Sequence, residues 1–475
     1  MIRTALWMIV FSLLAGCTLT GVTPQPVRPD QLEFAPLSFH FPQLEQQRLN
    51  NGLKFYLQED HELPLVELTL MIGGGSIQDP PEKTGLSHVF AAALETGGAG
   101  DASAAELEAE LEAMAAELSV TSSSYAYQLD LSLHRRDLQR GIEILADLLR
   151  RPGFAADRFE LARSQMLETI RRKNDDPDSI ARRLLSEAVF PGHPFGSSPQ
   201  RAAVESFSRD DLIQLHQAYF RPDNVWLAAS GDLARAELLV LLQENFGDWT
   251  APAVSGLSLP ELPQPPQGRV LIADKNIPQT SIMLGHIGIN KDNPDYFPLR
   301  VANYILGGGG FNSRMMREVR SNRGLAYSVY SSFEQGRRLP ELFYVSSETK
   351  TASTVEVVTL LRQLMQQMID EPVAEKELQL AKQSLINSFV FAFTDSHSVV
   401  SRKVRLDFYA YPTNYLESYQ EKIAAVTIAD VQRVAAAYLK PDLLQIVLVG
   451  DSSEFAPQAQ SFGLPVESVE LEVEL

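Results

Sequence analysis

One pattern in the chain occurs twice, at a constant spacing of 219 residues. The matched segments are Ala-Tyr-Phe-Arg-Pro-Asp at 218–223 with Gly231 and Asp232, and Ala-Tyr-Leu-Lys-Pro-Asp at 437–442 with Gly450 and Asp451. Upstream, Ser208 and Asp211 are matched by Thr427 and Asp430, a hydroxyl N-cap and an acidic residue that mark a helix start. A helix, a turn and a strand in one shared register predict an internal duplication, so the chain should contain two copies of one fold.

Chain length and proline-rich segments set the expected domain boundaries. A chain of 475 residues, 45% of them apolar, is long enough for at least two domains with cores of their own. A proline-rich stretch at 251–267 predicts a linker between an N-terminal domain at 44–250 and a C-terminal domain at 268–460. The remaining residues, 461–475, are predicted to form an acidic tail.

Hydrophobic periodicity within each half predicts an α+β fold, in which a sheet carries helices on one side. In the first half, we predict adjacent strands at 53–58 and 66–72 around a polar turn, a strand at 125–134, and helices at 86–95, 104–118, 137–149 and 158–172. In the second half, we predict strands at 270–274 and 281–287 and helices at 297–306, 353–370 and 374–393.

The N-terminus carries the pattern of an export signal. Arg3 precedes a short apolar run, and the run ends in Leu14-Ala15-Gly16-Cys17, which resembles the bacterial lipobox whose cysteine is lipidated. Residues 1–17 are therefore predicted to be a lipoprotein signal peptide, and the proline-rich residues 18–43 a tether. An ordinary signal peptide with an incidental cysteine is the alternative. Because Thr18 follows Cys17, resemblance to Gram-negative lipoproteins favours a lipid anchor in the outer membrane, facing the periplasm.

Charge and cysteine content exclude two classes of partner or site. Lys and Arg number 41 against 60 Asp and Glu, and the resulting net charge of −19 would repel a phosphate backbone. No nucleic-acid partner is therefore expected. Cys17 is the only cysteine, which excludes internal disulfides and thiolate zinc clusters.

Several segments together resemble the pitrilysin/insulinase family of zinc metallopeptidases, in its two-repeat branch that includes mitochondrial processing peptidase. The supporting segments are Gly-Gly-Ser at 74–76, Lys-Thr-Gly-Leu at 83–86, Asp-Asp-Pro at 175–177, Phe-Pro-Gly-His-Pro-Phe-Gly at 190–196, Leu-Gly-Gly-Gly-Gly-Phe at 306–311 and Arg-Gly-Leu-Ala-Tyr-Ser-Val-Tyr at 323–330. The resemblance covers about 44–451, and it implies two homologous α/β layers that form half of a clamshell.

The helix after Gly85 has the frame of the family's zinc motif but lacks most of its ligands. An inverted motif His-x-x-Glu-His places two imidazoles and a carboxylate on one helical face. At those positions this chain has His88, Ala91 and Ala92, so Ala91 replaces the general base and Ala92 replaces a ligand. By resemblance, Glu168 occupies the position of the third zinc ligand. Because a catalytic zinc needs three protein ligands and a base for its water, no catalytic zinc is expected in this chain.

Three acidic or imidazole residues near this helix leave alternatives open. His88 is predicted to be a relic imidazole on the inner face of the helix. A rearranged zinc site of His88, Glu95 and Glu168 is geometrically conceivable, because Glu95 lies seven residues after His88 on the same face. The alternative for Glu95 is a solvated residue near the helix end at Gly97. His193 is predicted to belong to a structural turn rather than to a metal site.

The second half keeps groups that contact substrate in the family. Arg320 and Tyr327 stand seven apart, as in the paired Arg and Tyr that bind the substrate backbone across the chamber from the zinc. A guanidinium and a phenol can both donate hydrogen bonds to a peptide carbonyl. A surface arginine and a core tyrosine are the alternative reading. Arg323 is a poorer partner for Tyr327 because Gly324 turns the chain between them.

The glycine run Gly307, Gly308, Gly309 and Gly310 is predicted to be a helix C-cap and a loop. No Lys-Ser/Thr follows it, which argues against a phosphate cradle. The family's noncatalytic processing subunit has a longer glycine-rich loop that helps to admit substrate. The resemblance therefore implies a weak substrate-binding role for these glycines.

This inventory predicts a division of labour between two chains. The leading hypothesis is a noncatalytic, substrate-binding subunit of a heterodimeric zinc metalloendopeptidase that acts on peptides or unfolded proteins at the bacterial cell envelope. Its partner would be a related subunit with an intact His-x-x-Glu-His motif, and that partner would hold the zinc. One alternative is a peptide-binding or scaffolding protein with no hydrolytic partner. Another is a self-sufficient peptidase with a rearranged zinc site.

Overall fold

The structure is a computed structural model that describes residues 41–42, 44–251, 258–334 and 336–472. The predicted signal peptide, Cys17 and nearly all of the predicted tether lie outside these residues. Within the described residues, no helix is both long enough and apolar enough to cross a bilayer.

The first half of the chain builds a six-stranded mixed sheet in the order β1-β2-β6-β3-β5-β4. The strands are β1 (Gln47–Arg48), β2 (Lys54–Glu59), β3 (Leu65–Gly73), β4 (Glu117–Ser122), β5 (Ala126–His134) and β6 (Val225–Gly231). β6 pairs in parallel with β2 and antiparallel with β3. The prediction that β2 and β3 are adjacent is therefore wrong, because a strand from the far end of the domain separates them.

Eight helices accompany this sheet in the described part of the first half. They are α1 (Leu86–Thr96), α2 (Ala104–Met114), α3 (Leu138–Arg150), α4 (Ala156–Arg171), α5 (Pro177–Val189), α6 (Arg201–Glu205), α7 (Arg209–Tyr219) and α8 (Arg235–Phe246). The helix predicted at 104–118 ends earlier, since Ala115 adopts a positive φ of 50° and the chain then enters β4. The sequence pattern did not predict β4, because its first residues lie within the helix predicted at 104–118.

The second half repeats the sheet in the order β12-β7-β11-β8-β10-β9. Its strands are β7 (Arg269–Asp274), β8 (Gln279–Ile287), β9 (Ala326–Phe333), β10 (Leu342–Lys350), β11 (Gln445–Gly450) and β12 (Val466–Val469). β7 and β11 are parallel while β8 pairs antiparallel with β11, as in the first sheet. The edge position held by β1 in the first sheet is held by β12, which lies in the segment predicted to be an acidic tail.

The helices of the second half keep the register of the duplication. They are α9 (Tyr296–Asn303), α10 (Thr354–Asp370), α11 (Glu375–Val390), α12 (Ser396–Phe408), α13 (Tyr415–Ala424), α14 (Ile428–Tyr438) and α15 (Ser452–Ala459). The bounds of α11, α12 and α14 lie 219 residues after those of α4, α5 and α7. Ser208 and Thr427 both form the predicted capping boxes, with Asp211 and Asp430. Two homologous α+β domains are thus confirmed.

The two halves exchange one helix each. α5 belongs to the first half but packs on β8 and β11 of the second sheet, where Leu185 and Val189 are fully buried. Reciprocally, α12 packs on β2 and β6 of the first sheet through Val400 and Val404. The prediction of helices on one side only is therefore incomplete. Because each buried aliphatic side chain contributes about 1.5–3 kcal/mol, this exchange ties the two halves into one stable unit.

Candidate functional site

The local sequence before α1 fixes where this helix begins. Gly85 adopts a φ of 96°, which favours glycine, and ends the preceding turn. The buried carboxylate of Asp79 accepts hydrogen bonds from the backbone N–H of Gly85 at 2.9 Å and of Ser87 at 3.1 Å, so it satisfies donors of the first helical turn. Burial raises the pKa of Asp79 to about 6. Gly85 and Asp79 therefore fix the N-terminal end of α1.

The three motif positions on α1 do not form a zinc site. His88 is exposed, and desolvation by the surrounding protein lowers its pKa. Ala91 is only 3% exposed and packs in the core, and Ala92 is half-buried against the same core. Neither methyl group offers a lone pair to a metal or to a water proton. A zinc ion would therefore find one imidazole on this helix and no base.

Glu168 and Glu95 are engaged elsewhere. Glu168 lies on α4, which packs against α1, but both of its oxygens accept hydrogen bonds from Arg171 at 2.6 and 2.7 Å. The half-buried carboxylate of Glu95 accepts a hydrogen bond from the backbone N–H of Val120 on β4 at 2.8 Å. The interpretation of Glu95 as a solvated residue is therefore wrong, because it ties α1 to the edge strand.

Potential metal ligands do not cluster in the part of the chain that the structure describes. No cluster of three His, Cys, Asp or Glu side chains there could hold a metal ion, which argues against the rearranged site of His88, Glu95 and Glu168. His193 is buried between Phe190 and Phe195, and its Nδ1 accepts a hydrogen bond from the backbone N–H of Phe195 at 3.1 Å. That contact closes the predicted structural turn.

The second half presents an arginine between two aromatic rings. The guanidinium carbon of Arg320 lies 4.3 Å from the ring centre of Tyr327 and 4.7 Å from that of Phe311. These distances are in the range of favourable cation–π contacts. Tyr327 is 81% exposed and Phe311 is 66% exposed, so both rings present a face to solvent. We call this group the arginine clamp: Phe311, Arg320 and Tyr327.

The clamp is built from helical turns of unusual geometry. Arg320 lies in a π-helical turn at Met316–Asn322, and another π-helical turn at Tyr304–Gly308 precedes Phe311. Single π-helical turns occur frequently at functional sites because the wider turn redirects side chains. Gly324 then takes a φ of 63° and sends the chain into β9, whose second residue is Tyr327. The π turn and the glycine together place Arg320 beside Tyr327.

The guanidinium of Arg320 is available to a ligand. Among the described residues it makes no hydrogen bond and no ion pair, and only the two aromatic rings hold it. The nearby Arg323, in contrast, lies 3.6 Å from a carboxylate oxygen of Glu356. This difference agrees with the expectation that Arg320 rather than Arg323 works with Tyr327.

An unpaired sheet edge runs beside the clamp. β9 is the last strand of the second sheet and pairs with β10 on one side, while no described strand pairs with its other side. Unpaired backbone N–H and C=O groups on such an edge can accept an extended peptide as an additional strand. The exposed side chain of Tyr330 lies on the same strand. The arrangement can therefore bind a peptide backbone, but it contains no group that would hydrolyse one.

The glycine run serves close packing more than mobility. Gly307 and Gly308 lie inside the π-helical turn at Tyr304–Gly308, rather than in a helix cap followed by a loop. A Cβ atom on Gly307 would come within 2.5 Å of the backbone nitrogen of Ser331 on β9, so only glycine allows this approach. Gly310 has a φ of 55° and begins the short turn that carries Phe311. The run thus positions Phe311.

Comparison with known proteins agrees with this architecture. The model of the insulinase family, peptidase family M16, matches residues 54–201, and the model of the peptidase M16 inactive domain matches residues 206–385. The two matches together span most of the chain. The protein belongs to peptidase family M16. The resemblance to the pitrilysin/insulinase metallopeptidases is thereby confirmed.

Individual M16 relatives match along most of their length. The chain is 25% identical to the uncharacterised zinc protease YmxG of Bacillus subtilis, over 82% of this chain and 95% of that protein. It is 24% identical to the non-peptidase homolog YmxG of Helicobacter pylori, over 86% of this chain and 95% of that protein. Ala91 and Ala92 replace the base and one ligand of the zinc motif, so the chain is a noncatalytic M16 protein. The name of the second relative, a non-peptidase homolog, agrees with this conclusion.

Solved M16 structures share the fold. A peptidase M16 inactive domain from Pseudomonas fluorescens superposes with a TM-score of 0.75 at 25% identity, over 86% of this chain and 98% of that chain. A protease from Helicobacter pylori superposes with a TM-score of 0.77 at 18% identity, over 86% of this chain and all of that chain. These matches confirm the predicted half-clamshell architecture.

Phe311 is the clamp residue that the sequence did not reveal as a binding group. An exposed phenylalanine after a glycine run has no distinctive pattern, and its partner Arg320 lies nine residues further along the chain. The available signal was Gly310 itself, since a glycine immediately before an aromatic residue favours a turn, and in the structure Gly310 adopts the positive φ of such a turn.

Proposed function

We propose that this M16 protein is the noncatalytic, substrate-binding subunit of a heterodimeric zinc metalloendopeptidase that acts on peptides or unfolded proteins. The observation that carries the proposal is the unpaired guanidinium of Arg320, held between Phe311 and Tyr327 beside the free edge of β9. This group has the chemistry of a peptide-binding site, while the zinc helix of the same chain lacks its base and a ligand.

Peptide recognition follows from backbone chemistry. An extended substrate pairs with β9 through backbone hydrogen bonds, which are independent of side chains and therefore suit varied unfolded sequences. Arg320 donates to a substrate carbonyl, and the Tyr327 hydroxyl supplies a second donor. The two aromatic rings restrict the guanidinium to one region, which lowers the entropy lost when it binds.

A second chain supplies the hydrolytic step. In the proposed complex a related subunit with an intact His-x-x-Glu-His motif holds the zinc and activates its water. Donors on Arg320 and Tyr327 then stabilise the charge that develops on the scissile carbonyl oxygen, a role that helps only when the attacking water is near. The retained clamp is thus best explained by a partner that performs the chemistry.

The proposed site of action is the bacterial cell envelope. This part of the proposal rests on the sequence of residues 1–17, in which a short apolar run precedes Cys17. Lipidation of Cys17 would hold the complex at a membrane, in our proposal at the outer membrane facing the periplasm. Substitution Cys17→Ser is expected to move the protein from the membrane fraction to the soluble fraction, and an unchanged membrane fraction would argue against the anchor.

Mixing of subunits tests the proposal. The purified chain alone should leave an unfolded peptide intact, and an added relative with a complete zinc motif should give cleavage faster than the relative alone. Arg320→Ala and Tyr327→Phe in this chain should then reduce that cleavage, whereas Arg323→Ala should not. Peptide binding without any cleavage, with every candidate partner from the same envelope, would favour a peptide-binding scaffold instead.

A further inference from the structure

A cavity that none of the three clamp residues lines lies between the two halves of the chain. It has a volume of about 380 Å³, which is within the range of small-molecule sites. The loop between β4 and β5 forms one side with Ser124 and Tyr125. The other lining residues come from the segments around α9, α12 and α13, the C-terminal end of α11 and the segment before β10. The helix exchange described above therefore shapes this cavity.

Positive charge is concentrated in the cavity wall. Four cationic side chains that form no ion pair within the described residues line it, Lys291, Arg300, Arg402 and Arg405, and a fifth, Arg337, is paired with Asp292. Glu341 is the single carboxylate among the described lining residues. In a chain with a net charge of −19, such a cluster runs against the overall charge. A local excess of cations in an acidic protein attracts and concentrates anions.

Most of these cations lack a counter-charge. Arg300 donates a hydrogen bond to the hydroxyl of Tyr296 at 3.0 Å, which is a neutral acceptor. Lys291, Arg402 and Arg405 have neither a hydrogen-bond acceptor nor an ion-pair partner among the described residues. Burial, and then the neighbouring Arg300, lower the pKa of Lys291 to about 8. Arg402 and Arg405 are exposed, so water screens part of the repulsion among these cations, and a bound anion would compensate the rest.

The aromatic wall provides the complementary apolar contact. Tyr411 and Tyr415 line the cavity together with Phe389. The hydroxyl of the buried Tyr419 lies beside the guanidinium of Arg300, and its proton has no acceptor among the described residues. A group with oxygen atoms in the cavity could accept from that hydroxyl as well as from the cations. A ligand rich in hydrogen-bond acceptors would satisfy the cationic and hydroxyl donors of this wall.

We propose that this cavity is a binding site for a small oxyanion, a phosphate or a carboxylate group, held by Lys291, Arg402 and Arg405. The ligand's oxygens supply the acceptors that the cations and the Tyr419 hydroxyl lack, and its remaining atoms contact the tyrosine rings. The site does not depend on the proposed peptidase complex. Its oxyanion comes either from a free phosphate compound or from the C-terminal carboxylate of a peptide.

Calorimetric titration of the purified full chain with pyrophosphate tests the site at constant ionic strength. Saturable binding is expected, and Arg402→Gln or Arg405→Gln should each weaken it about tenfold, the value of one lost charge-assisted hydrogen bond. Lys403→Gln is the matched control, because it removes the same charge from the same helix α12 but lies outside the cavity. It should leave the affinity within twofold.

Two further variants separate a ligand site from a structural cluster. Glu341→Gln removes the one lining carboxylate and should strengthen pyrophosphate binding. Without ligand, Arg402→Gln should melt at the same temperature as the wild type or higher, since it relieves repulsion. If Arg402→Gln instead melts lower, or if Lys403→Gln weakens binding as much as Arg402→Gln, the proposal is overturned.

A competition experiment identifies the source of the oxyanion. Displacement of pyrophosphate by a peptide with a free C-terminus, but not by the same peptide amidated, assigns the site to a peptide carboxylate. Bound pyrophosphate that neither peptide displaces assigns it to a free phosphate compound. If pyrophosphate, inorganic phosphate and the free-carboxylate peptide all fail to bind saturably at millimolar concentration, the cavity is not an oxyanion site.

Discussion

Removal of the guanidinium from the arginine clamp should abolish most of the peptide affinity without damage to the fold. In the free protein the Arg320 guanidinium lies over the exposed rings of Phe311 and Tyr327 and makes no hydrogen bond or ion pair with the described residues. Exposed cation–π contacts contribute about 0.5–1 kcal/mol each, so Arg320→Ala should lower the free energy of unfolding by no more than about 1–2 kcal/mol.

The loss of affinity should be larger than this loss of stability. A hydrogen bond from a charged donor contributes about 1.5–3 kcal/mol, which corresponds to an affinity loss of about 10- to 150-fold for Arg320→Ala. Tyr327→Phe keeps the ring and removes a neutral donor, so peptide affinity should fall about 2- to 12-fold. Phe311→Ala removes one of the two rings that position Arg320, so peptide affinity should fall about 2- to 5-fold.

Fluorescence anisotropy with a labelled unfolded peptide measures this series directly, because the isolated chain does not consume its ligand. Arg323→Ala is the matched control, since its ion pair with Glu356 is exposed and such pairs contribute little. The expected order of weakening is Arg320→Ala, then Tyr327→Phe, then Phe311→Ala. An Arg320→Ala protein that binds within twofold of the wild type, or an Arg323→Ala protein that binds equally poorly, would refute the reasoning.

Three stability predictions follow from the packing. Ala91→Glu buries an unpaired carboxylate, so at pH 8 it should lower the free energy of unfolding by about 3–5 kcal/mol more than the uncharged control Ala91→Gln does. Equal losses of stability in the two variants would show that position 91 opens to solvent. Burial raises the pKa of Asp79 from 3.8 to about 6, so the stability that comes from its protonation is present below pH 4 and lost as pH rises through 6. In urea titrations the free energy of unfolding of Asp79→Asn should therefore rise by about 3 kcal/mol relative to that of the wild type between pH 4 and pH 7. A pH-independent difference between the two proteins would contradict this. Leu185→Ala should lower the free energy of unfolding by about 2–5 kcal/mol and keep a single unfolding transition in differential scanning calorimetry, which follows both halves. Two separate transitions would contradict the interlocking of the halves.

Local structure was well predicted from the sequence because it depends on local chemistry. The capping boxes at Ser208 and Thr427 formed as their hydroxyl and acidic residues indicate. The duplicated register predicts one helix before the Pro-Asp turn in each half, and α7 and α14 are those helices. α1 runs from Leu86 to Thr96, within one residue of the predicted bounds.

Long-range pairing was harder to predict. Alternation in β2 and β3 shows that each strand has a buried face, but it does not show that β6 lies between them. The apolar stripe on α5 likewise indicates burial without indicating that the second sheet provides it. The hydrogen bond from Val120 to Glu95 could not be predicted, because its donor is a backbone N–H that has no sequence signature. Phe311 joined the clamp through a contact that only the folded π turns create.

The sequence predicts most about the site where a missing chemical group is enough to decide whether zinc chemistry is possible. Alanine at positions 91 and 92 removes a base and a ligand whatever the fold does. Arg320 and Tyr327 required the structure, since a spacing of seven residues does not by itself bring a guanidinium onto a ring. The π turn at Met316–Asn322 and Gly324 together bring Arg320 onto the ring of Tyr327.

The central claim is that this chain binds substrate while another chain hydrolyses it, and the kcat/KM of the reconstituted pair tests that claim most directly. The account predicts no peptide cleavage by this chain alone with added zinc, cleavage by the pair, and a kcat/KM at least tenfold lower when this chain carries Arg320→Ala. A glutamine in place of the partner's motif glutamate should abolish cleavage by the pair. Peptide cleavage by the isolated chain, or an unchanged kcat/KM with Arg320→Ala, would contradict the division of labour.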